Sequence, residues 1–509
     1  MTRLLIASLL LSLACGDDTS STDSGPTSDV PLVDVGPPMD ANVPGRTWEI
    51  SAPTAVPASA QLAIVVRAMA DGRLDTSADG DFNIPIEQVD VTLQYTVRVR
   101  RGIGSLTYSK MSVPDRASVR MGSSEFNIED LPDAPTIVSG ELTNFGWSGV
   151  IQVDANVTVP AGETLTIEPG TIVMTALDRS IIVDGAIEVA AGGPMTLFTS
   201  INEEPWGGIV INGSASFENT AFVNGGGNEG RAFGHSGSQP VVFGEAANVT
   251  LRDIVIQDGP GKALGARGGQ WTIEDSLFTR VDTGGEFDRT ALTITGSQWM
   301  DFPTVDAPVM DDDNDGIYLL GDSSAEQPLI TITNSTWIGG ADDGIDHNGS
   351  RVQITGGYIE GFANECIATS SGGTVNISDT LLSGCAQGLE AGYGGPQVTG
   401  DHLLIRNSGI GVRIGDNYSD RPDYSGTITL TDSIIQGNGE YALRNFVLTD
   451  MAPRPGAISI STSVVDRDEV EVGEGNVIDT AVLGGDMLMA PGSPGEGIAS
   501  GNPGLITPR

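Results

Sequence analysis

The chain has 509 residues, of which 39% are hydrophobic and 5% aromatic, and it contains 68 glycines. This length exceeds one compact core, and a glycine-rich, aromatic-poor composition argues against a mainly helical protein, so several β domains or an elongated β repeat are expected. The formal net charge of −42 excludes nucleic acid as a partner, because a polyanion would be repelled, whereas clustered carboxylates would attract divalent cations.

The first 15 residues predict an export signal with a site for lipid attachment. Arg3 supplies the positive start, and residues 4–13 form an apolar run as long as a signal-peptide core and too short for a membrane span. Ser12-Leu13-Ala14-Cys15 resembles a bacterial lipobox, although Ser12 stands where an aliphatic residue is usual. We therefore expect an exported protein that acyl chains on Cys15 anchor to the outer membrane or cell surface. Ordinary signal cleavage that leaves Cys15 unmodified is the alternative.

Residues 16–45 and 46–140 differ sharply in composition. The first segment is rich in Asp, Pro, Ser and Thr and has no Lys or Arg before Arg46, which predicts a disordered acidic linker. The second contains the strand-like run 62–66 and the alternating run 89–99. These patterns predict a small β-sandwich-like domain, for which we expect an immunoglobulin-like arrangement.

A repeat of about 22 residues runs through residues 150–480 and can be aligned in three columns. The first column is apolar: Phe217, Leu251, Ile273, Ile294, Ile332, Ile354, Ile377, Val398, Leu430, Ile460. The second, two residues on, favours left-handed backbone: Asn219, Asp253, Asp275, Gly296, Asn334, Gly356, Asp379, Gly400, Asp432, Thr462. The third, three residues further, is again apolar: Phe222, Ile256, Phe278, Trp299, Trp337, Ile359, Leu382, Leu403, Ile435, Val465.

An apolar strand, a fixed bend and another apolar strand in every repeat predict an all-β solenoid with interior ladders of stacked side chains. The chain here resembles the right-handed parallel β-helix proteins of the pectin-lyase-like superfamily. The resemblance implies stacked parallel strands over residues 150–480 and leaves the activity open, because this fold carries lyases, hydrolases, adhesins and inert stalks. Residues 481–509 are expected to form a C-terminal cap or tail.

Two cysteines remain besides Cys15, and their pairing is open. Cys366 and Cys385 lie in the solenoid, and an oxidising compartment would allow a disulfide between them. Their positions are offset in the repeat, so a pair of free buried thiols is the alternative.

Acidic residues recur beside one strand of the repeat. A further inward column is formed by Ile317, Ile345, Ile367, Leu389, Val412 and Leu443, and the residues after them should face solvent. Two residues before this column lie Asp315, Asp343 and Glu365 on successive coils, where their like charges require compensation. The run 311–316 also begins like a D-x-D-x-D-G calcium loop, with Asp322 in place of the usual final Glu. These residues predict a calcium site, with a solvated acidic turn as the alternative: Asp311, Asp313, Asp315, Asp342, Asp343, with Asp346 nearby.

The same region allows an enzymatic interpretation. Asn314-Asp315, Asp342-Asp343 and Arg413-Ile414 are similar to fragments of polygalacturonase motifs, but Gly415 replaces a lysine and no His-Gly follows the Asp pair. Under this hypothesis Asp315, Asp343 and Asp346 would supply acid and base, and Arg413 or Arg444 would serve a calcium-assisted lyase as its base. Ion pairing with Glu390 and neighbouring acids is the other expectation for both arginines.

The sequence therefore favours a monomeric surface lipoprotein that binds or displays through calcium and glycan contacts. An enzyme acting on an acidic polysaccharide, by hydrolysis or by calcium-assisted elimination, is the alternative, and a passive spacer is a third. Insertions at 322–327, 416–426 and 446–456 follow the same strand of their coils, so they should line one edge of the solenoid and could contact a glycan.

Overall fold

The structure is a computed structural model, and it describes residues 39–235, 237–302, 314–322, 326–415, 425–445, 457–467, 473–484 and 487–496. These residues form β-strands and a single turn of 3₁₀ helix at Glu229–Arg231. Within the same ranges, no helix is long and apolar enough to cross a membrane. The predicted signal peptide, Cys15, Asp311 and Asp313 lie outside the described residues.

The N-terminal β domain is one mixed sheet of nine strands. Neighbouring strands run antiparallel, apart from Ala55–Val56, which pairs parallel with Ser124–Asp130. Ser124 Oγ donates to Trp48 O at 2.5 Å, which links strands far apart in the sheet order and closes the sheet over one core. In spatial order the strands are Arg46–Ser51, Gln61–Ala70, Ile103–Ser109, Val91–Arg100, Gly80–Gln88, Ala117–Met121, Ser124–Asp130 and Ala55–Val56, with Arg73–Leu74 beside Gln61–Ala70.

The remaining 37 strands form a parallel solenoid with three long sheets. The neutral sheet, so called for the mostly uncharged residues along the middle of its outer surface, contains Gly146–Trp147, Thr164–Ile167, Ala186–Val189, the first halves of Ser214–Val223 and Asn248–Gly259, Gln270–Glu274, Ala291–Thr295, Leu329–Thr333, Arg351–Thr355, Thr374–Ser378, Gln397–Asp401, Thr427–Thr431 and Ile458–Ser461.

The covered sheet contains Thr136–Glu141, the first half of Val150–Val159, Ile172–Thr175, Thr196–Ser200, the second halves of Ser214–Val223 and Asn248–Gly259, Leu277–Val281, Gln298–Met300, Thr336–Gly340, Tyr358–Phe362, Leu381–Ser383, Leu404–Arg406, Ile434–Gln436, Val464–Val465 and Val477–Ile478. The loop-side sheet contains the second half of Val150–Val159, Ser180–Val183, Gly208–Ile211, Val242–Glu245, Leu264–Arg267, Gly285–Asp288, Tyr318–Leu320, Ile345–Asn348, Glu365–Ser370, Gln387–Ala391, Ile410–Ile414 and Tyr441–Asn445. The parallel pairing thus starts at Thr136, earlier than the composition change near residue 150 suggests.

Side chains of equivalent residues stack inside the solenoid, as the repeat predicts. Trp299 and Trp337 are fully buried with ring centroids 4.9 Å apart and planes 7° from parallel, and Phe278 stacks on Trp299 at 4.6 Å. The corner column adopts left-handed backbone, with φ between 47° and 71° from Asn219 to Asp379. These ladders explain why the tryptophans belong to the core and are not exposed for sugar binding.

The predicted alignment is wrong by two residues in one coil. Gly400 pairs with Ile377 and Leu430 and therefore belongs to the first, inward column, in place of Val398. His402 then occupies the corner with φ of 53°, and Ile405 replaces Leu403 in the third column. A Cβ on Gly400 would lie 2.6 Å from side-chain atoms of both Leu403 and Leu430, so glycine is needed there for packing.

The covered sheet is shielded from solvent at both ends. Val255, Leu277 and Met300 of its outer surface join the hydrophobic core of the β domain. Arg280 of the solenoid holds this contact, since its Nε and Nη2 donate to Asp258 at 2.6 and 3.1 Å and its Nη1 donates to Ser105 O of the β domain at 3.1 Å. The β domain and the solenoid accordingly belong to one compact unit.

The C-terminal segment covers the other end of the same surface. Leu381, Leu404, Ile434 and Val464 form a separate apolar cluster with Ala481. The backbone N–H of Ala481 donates to Gln436 Oε1 at 2.9 Å, which fixes the segment along the sheet. The β domain and the C-terminal segment therefore pack against two parts of the same outer surface, that of the covered sheet.

Cys366 and Cys385 form a disulfide, with their Cα atoms 5.6 Å apart. Both residues are buried in the solenoid core. The offset between them in the repeat is compatible with bonding because they lie on neighbouring coils and reach each other across the interior. The sequence left open whether these cysteines form a disulfide or remain free thiols, and the structure contains the disulfide.

Candidate functional site

The predicted row of acids forms a ladder at the corner that precedes the loop-side sheet. Asp315 and Asp343 are 2% and 7% exposed, and Glu365 is 9% exposed. Asp315 Oδ1 accepts the backbone N–H of Asp343 at 3.3 Å, and Asp343 Oδ1 accepts that of Glu365 at 2.7 Å. Each Asp carboxylate thus accepts a hydrogen bond from a backbone N–H of the next coil. These bonds help to hold successive coils together.

The glycine after each aspartate is required by the same corner. A Cβ on Gly316 would lie 2.4 Å from the carbonyl oxygen of Gly344, and one on Gly344 would lie 2.6 Å from that of Cys366. Only glycine lets successive coils stack this closely. The Asp-Gly-Ile sequences therefore arise from coil packing.

Three carboxylates at this corner come together in a group that could hold a metal ion. One oxygen each from Asp315, Asp342 and Asp343 lie within 4.8 Å of one another, and Asp342 is half-buried, which leaves one side of the group open. The Asn364 amide donates to Asp342 Oδ1. We refer to Asp315, Asp342 and Asp343 as the carboxylate cluster.

The residue that precedes Asp315 in the chain has a buried oxygen without a partner. Asn314 is 3% exposed, and its Nδ2 donates to Asp282 Oδ1 at 2.9 Å on the preceding coil. Its Oδ1 is buried without a hydrogen bond. A buried carbonyl oxygen without a partner costs free energy, so this amide oxygen is a fitting fourth ligand atom for a cation.

Burial and neighbouring charge act together on Asp343. Desolvation raises its pKa well above the usual value, and the carboxylates of Glu365, Asp342 and Asp315 raise it further. A divalent cation in the cluster would offset this repulsion and favour the ionised carboxylate.

The structure separates the other predicted catalytic residues from the cluster. Asp346 points outward from the loop-side sheet and is half-buried. Arg413 also points outward, but it is 8% exposed and its Nη1 lies 3.6 Å from Glu390 Oε2. Asp315 and Asp343 therefore share a corner, whereas Asp346 and Arg413 lie on a sheet surface and on different coils.

This surface carries a row of outward residues, one for each coil. Tyr318 pairs with Asp346, Asp346 with Ala368, and Arg413 with both Glu390 and Arg444. The register of Ile367 and Leu389 places Ala368 opposite Glu390. We call this surface the loop-side row: Glu286, Tyr318, Asp346, Ala368, Glu390, Arg413, Arg444.

The insertion between strands Ser214–Val223 and Val242–Glu245 covers one end of the loop-side row. Lys262 Nζ lies 2.6 Å from both Glu286 Oε2 and the carbonyl oxygen of Phe233, and the Lys262 and Glu286 side chains are 0% and 4% exposed. Glu286 also accepts the backbone N–H of His235 at 2.8 Å, and the His235 ring stacks on Tyr318 at 4.9 Å. This buried ion pair fixes the insertion against the sheet.

Some of these features were missed by the sequence analysis. The Asp/Asn alternation of Asp282, Asn314, Asp342 and Asn364 on successive coils is a signal that could have revealed the amide contacts. Glu390 was considered only as a partner of Arg413, and the Lys262–Glu286 pair has no local motif, because its residues lie on neighbouring coils.

Residues 290–447 match the family model described as "Right handed beta helix region". No curated protein matches. Together with the parallel sheets, this match shows that the solenoid has the right-handed parallel β-helix fold.

Two solved structures of GH87 alpha-1,3-glucanases show a weak similarity to this chain. One is a catalytic domain in complex with tetrasaccharides, with TM-score 0.37 and 10% identity over 86% of this chain and 98% of that one. The other is the catalytic unit from Streptomyces thermodiastaticus strain HF3-3, with TM-score 0.25 and 12% identity over 85% of this chain and 88% of that one.

Proposed function

We propose that the protein is an exported, lipid-anchored surface β-helix that binds calcium at the carboxylate cluster and contacts polysaccharide through the half-buried members of the loop-side row, Asp346, Ala368 and Arg444. The observation that carries the calcium part is the meeting of three carboxylates within 4.8 Å, one of which follows Asn314, whose buried Oδ1 has no partner. The anchor rests on the lipobox-like Ser12–Cys15, and the glycan contact rests on polar side chains aligned along one rigid sheet.

Calcium fits this donor set better than other common metals. All four candidate ligand atoms are oxygens, which hard cations prefer, and the cluster has no His or Cys ligand of the kind that zinc takes. The nearby His347 points into the core, where its Nε2 lies 2.8 Å from the carbonyl oxygen of Ser350. An irregular set of carboxylate and amide oxygens suits the flexible coordination of calcium more than the strict octahedron of magnesium.

The bound ion would join two coils. Asp315 belongs to one coil and Asp342 with Asp343 to the next, so an ion shared by all three would stabilise their stacking. The expected consequence is a corner that is held rigid next to the loop-side row. A surface that binds extended polymers benefits from such rigidity because less conformational entropy is lost on binding.

Calorimetric titration of the calcium-stripped protein tests the calcium part. We expect saturable binding in the native protein and none in the Asp342→Asn/Asp343→Asn variant. The matched control is Asp379→Asn/Asp432→Asn, which makes the same charge change at corners where φ is 49° and 47° and asparagine is tolerated. Binding that survives in the cluster variant, or disappears equally in the control, would refute the assignment.

A polysaccharide-cleaving enzyme is the second candidate, and one observation favours it. Asp346 and Glu390 flank the small Ala368 on the loop-side row, so their strands are two coil spacings, or roughly 10 Å, apart. Carboxylates at about this separation can act as acid and base in inverting hydrolysis.

The enzyme hypothesis is tested by incubating the protein with polygalacturonate, with and without calcium. The products to follow are new reducing ends for hydrolysis and the absorbance of an unsaturated sugar for elimination. Cleavage that Asp346→Asn and Glu390→Gln each abolish would establish the enzyme. Absence of both products would leave binding and display as the function of this surface.

A further inference from the structure

The outer surface of the neutral sheet carries a long row of uncharged polar side chains. One outward residue from each of twelve strands lines up in register. All twelve are half-buried or exposed. We call them the hydroxyl row: Thr166, Glu188, Ser216, Thr250, Thr272, Thr293, Thr331, Gln353, Asn376, Thr399, Thr429, Ser459.

Charge distinguishes this row from the residues that flank it on the same strands, which include Glu218, Arg252, Glu274, Arg351 and Asp401. Glu188 is the one ionised member of the hydroxyl row, in a protein whose net charge is −42. The row also contains no aromatic side chain and no large aliphatic one. The loop-side row, in contrast, mixes Glu286, Asp346 and Glu390 with two arginines.

The surface is also concave near one end. A depression of about 320 Å³ lies across three neighbouring coils, with Glu188 at its margin. Its lining is formed mainly by hydroxyl and amide side chains: Ser214, Ser216, Asn248, Thr250, Gln270, Thr272. This volume is at the lower end of the range of small-ligand sites, and these groups can both donate and accept hydrogen bonds.

The composition of the hydroxyl row limits the chemical class of its binding partner. Protein interfaces are enriched in aromatic residues, Met and Arg and depleted in Ser, which is the opposite of the hydroxyl row. A polyanionic partner needs several cations, whereas the described strands of this surface offer two arginines, Arg351 and Arg252, and Arg252 is already paired with Glu218 and Glu274. An uncharged polymer rich in hydroxyl groups matches both the low charge and the hydrogen-bonding groups of the hydroxyl row.

We infer that the hydroxyl row binds a neutral polysaccharide chain that lies along the axis of the solenoid. Equivalent donors and acceptors repeat at about 4.8 Å from coil to coil, so a polymer can make the same contact many times. Many weak contacts then add up along one chain, as in multivalent binding. This second binding surface lies on a different sheet from the carboxylate cluster and does not depend on calcium.

Electrophoresis through native gels that contain hydroxyethylcellulose, dextran, starch or galactomannan tests the inference, with polygalacturonate as the anionic comparison. EDTA in the gel removes any contribution from the carboxylate cluster. We expect at least one neutral polymer to retard the full-length protein, with retardation that persists at high salt. If none of the neutral polymers retards the protein, the inference is overturned, whatever the outcome of calcium binding.

Two sets of variants locate the contact. Thr293→Glu/Thr331→Glu/Thr399→Glu places charges in the row and should weaken binding about tenfold or more, because each carboxylate must lose water on contact. Thr293→Val/Thr331→Val/Thr399→Val removes only the hydroxyls, keeps strand propensity and should weaken binding as well.

The control set adds the same charges at exposed threonines on other surfaces, as Thr92→Glu/Thr96→Glu/Thr136→Glu. We expect this control to be retarded like the native protein. Equal retardation of the native protein and both row variants would refute the assignment of binding to the hydroxyl row.

Discussion

Asp343 Oδ1 accepts the backbone N–H of Glu365 at 2.7 Å, so a carboxylate of the candidate metal site is also part of the corner that joins two coils. Asparagine can make this same contact through its own side-chain oxygen. Asp343→Asn therefore keeps the hydrogen bond between the coils and removes the negative charge of the candidate metal ligand.

Asp343→Asn should raise the melting temperature in EDTA at neutral pH. The folded protein holds the pKa of Asp343 well above its ordinary value, so above the unfolded pKa ionisation opposes folding, and the amide removes this cost. Below about pH 4 the carboxylate is protonated in both states and the two proteins should converge. Added calcium should stabilise the native protein alone, as thermal unfolding will report. A variant less stable than the native protein in EDTA would contradict the account.

His347 should make the folded protein sensitive to mild acid. Burial lowers its pKa from 6.5 to about 4, so the unfolded chain binds the proton first as the pH falls. The contribution of this residue to stability is complete above pH 6.5 and declines by about 3 kcal/mol as the pH approaches 4. The free energy of unfolding, measured with urea at several pH values in this range, should fall as the pH falls, and His347→Gln should make it less dependent on pH. An unchanged slope in the variant would assign the effect to other groups.

The disulfide between Cys366 and Cys385 should stabilise the solenoid by restricting the unfolded chain. For a sequence separation of 19 residues, the loss of loop-closure entropy corresponds to about 3 kcal/mol. Cys366→Ala/Cys385→Ala should lower the free energy of unfolding by this order, and reduction of the native protein should have the same effect. Two thiols that react with Ellman's reagent in the delipidated protein, denatured without reductant, would show that Cys366 and Cys385 are free.

Arg280 should be important for docking of the β domain. Its guanidinium contacts Asp258 through two nitrogens and the carbonyl oxygen of Ser105 through a third. Arg280→Ala should cost about 2 kcal/mol, because it leaves the half-buried Asp258 without this partner. Limited proteolysis should then release residues 46–130 earlier than in Arg252→Ala, which removes an ion pair with Glu274 on an exposed part of the solenoid. Equal cleavage rates would exclude this role.

Cys15→Ser should abolish membrane attachment if the lipobox is used. The native protein should partition into the detergent phase of a Triton X-114 extract, and the variant should move to the aqueous phase. Cys366→Ala/Cys385→Ala serves as the matched cysteine control and should remain in the detergent phase. Aqueous partitioning of the native protein would instead indicate simple signal cleavage.

The solenoid could be predicted from the sequence because each coil repeats the same physical requirements. Apolar residues recur at interior positions, and residues that tolerate positive φ recur at one corner, where Asp275 has φ of 48° and Asp432 has 47°. The error at Gly400 arose because glycine satisfies two different requirements. It was assigned to the corner, whereas the structure uses it for packing against Leu403 and Leu430 and places His402 in the left-handed position.

The candidate site was predictable only in part. The stacked acids Asp315 and Asp343 follow from the repeat, but their burial and their bonds to the next coil depend on corner geometry that no local pattern encodes. Asp346 and Arg413 were assigned to one enzymatic site by their resemblance to motif fragments. The register places them three coils apart, with Ala368 and Glu390 between them, because each coil adds one residue to the row.

The most direct test of the calcium assignment is anomalous diffraction from crystals grown with calcium and then with terbium as its substitute. The account predicts one peak about 2.3–2.6 Å from carboxylate oxygens of Asp315, Asp342 and Asp343, with Asn314 Oδ1 as a further ligand. A peak elsewhere, or no peak at this corner under conditions where binding is saturated, would contradict it.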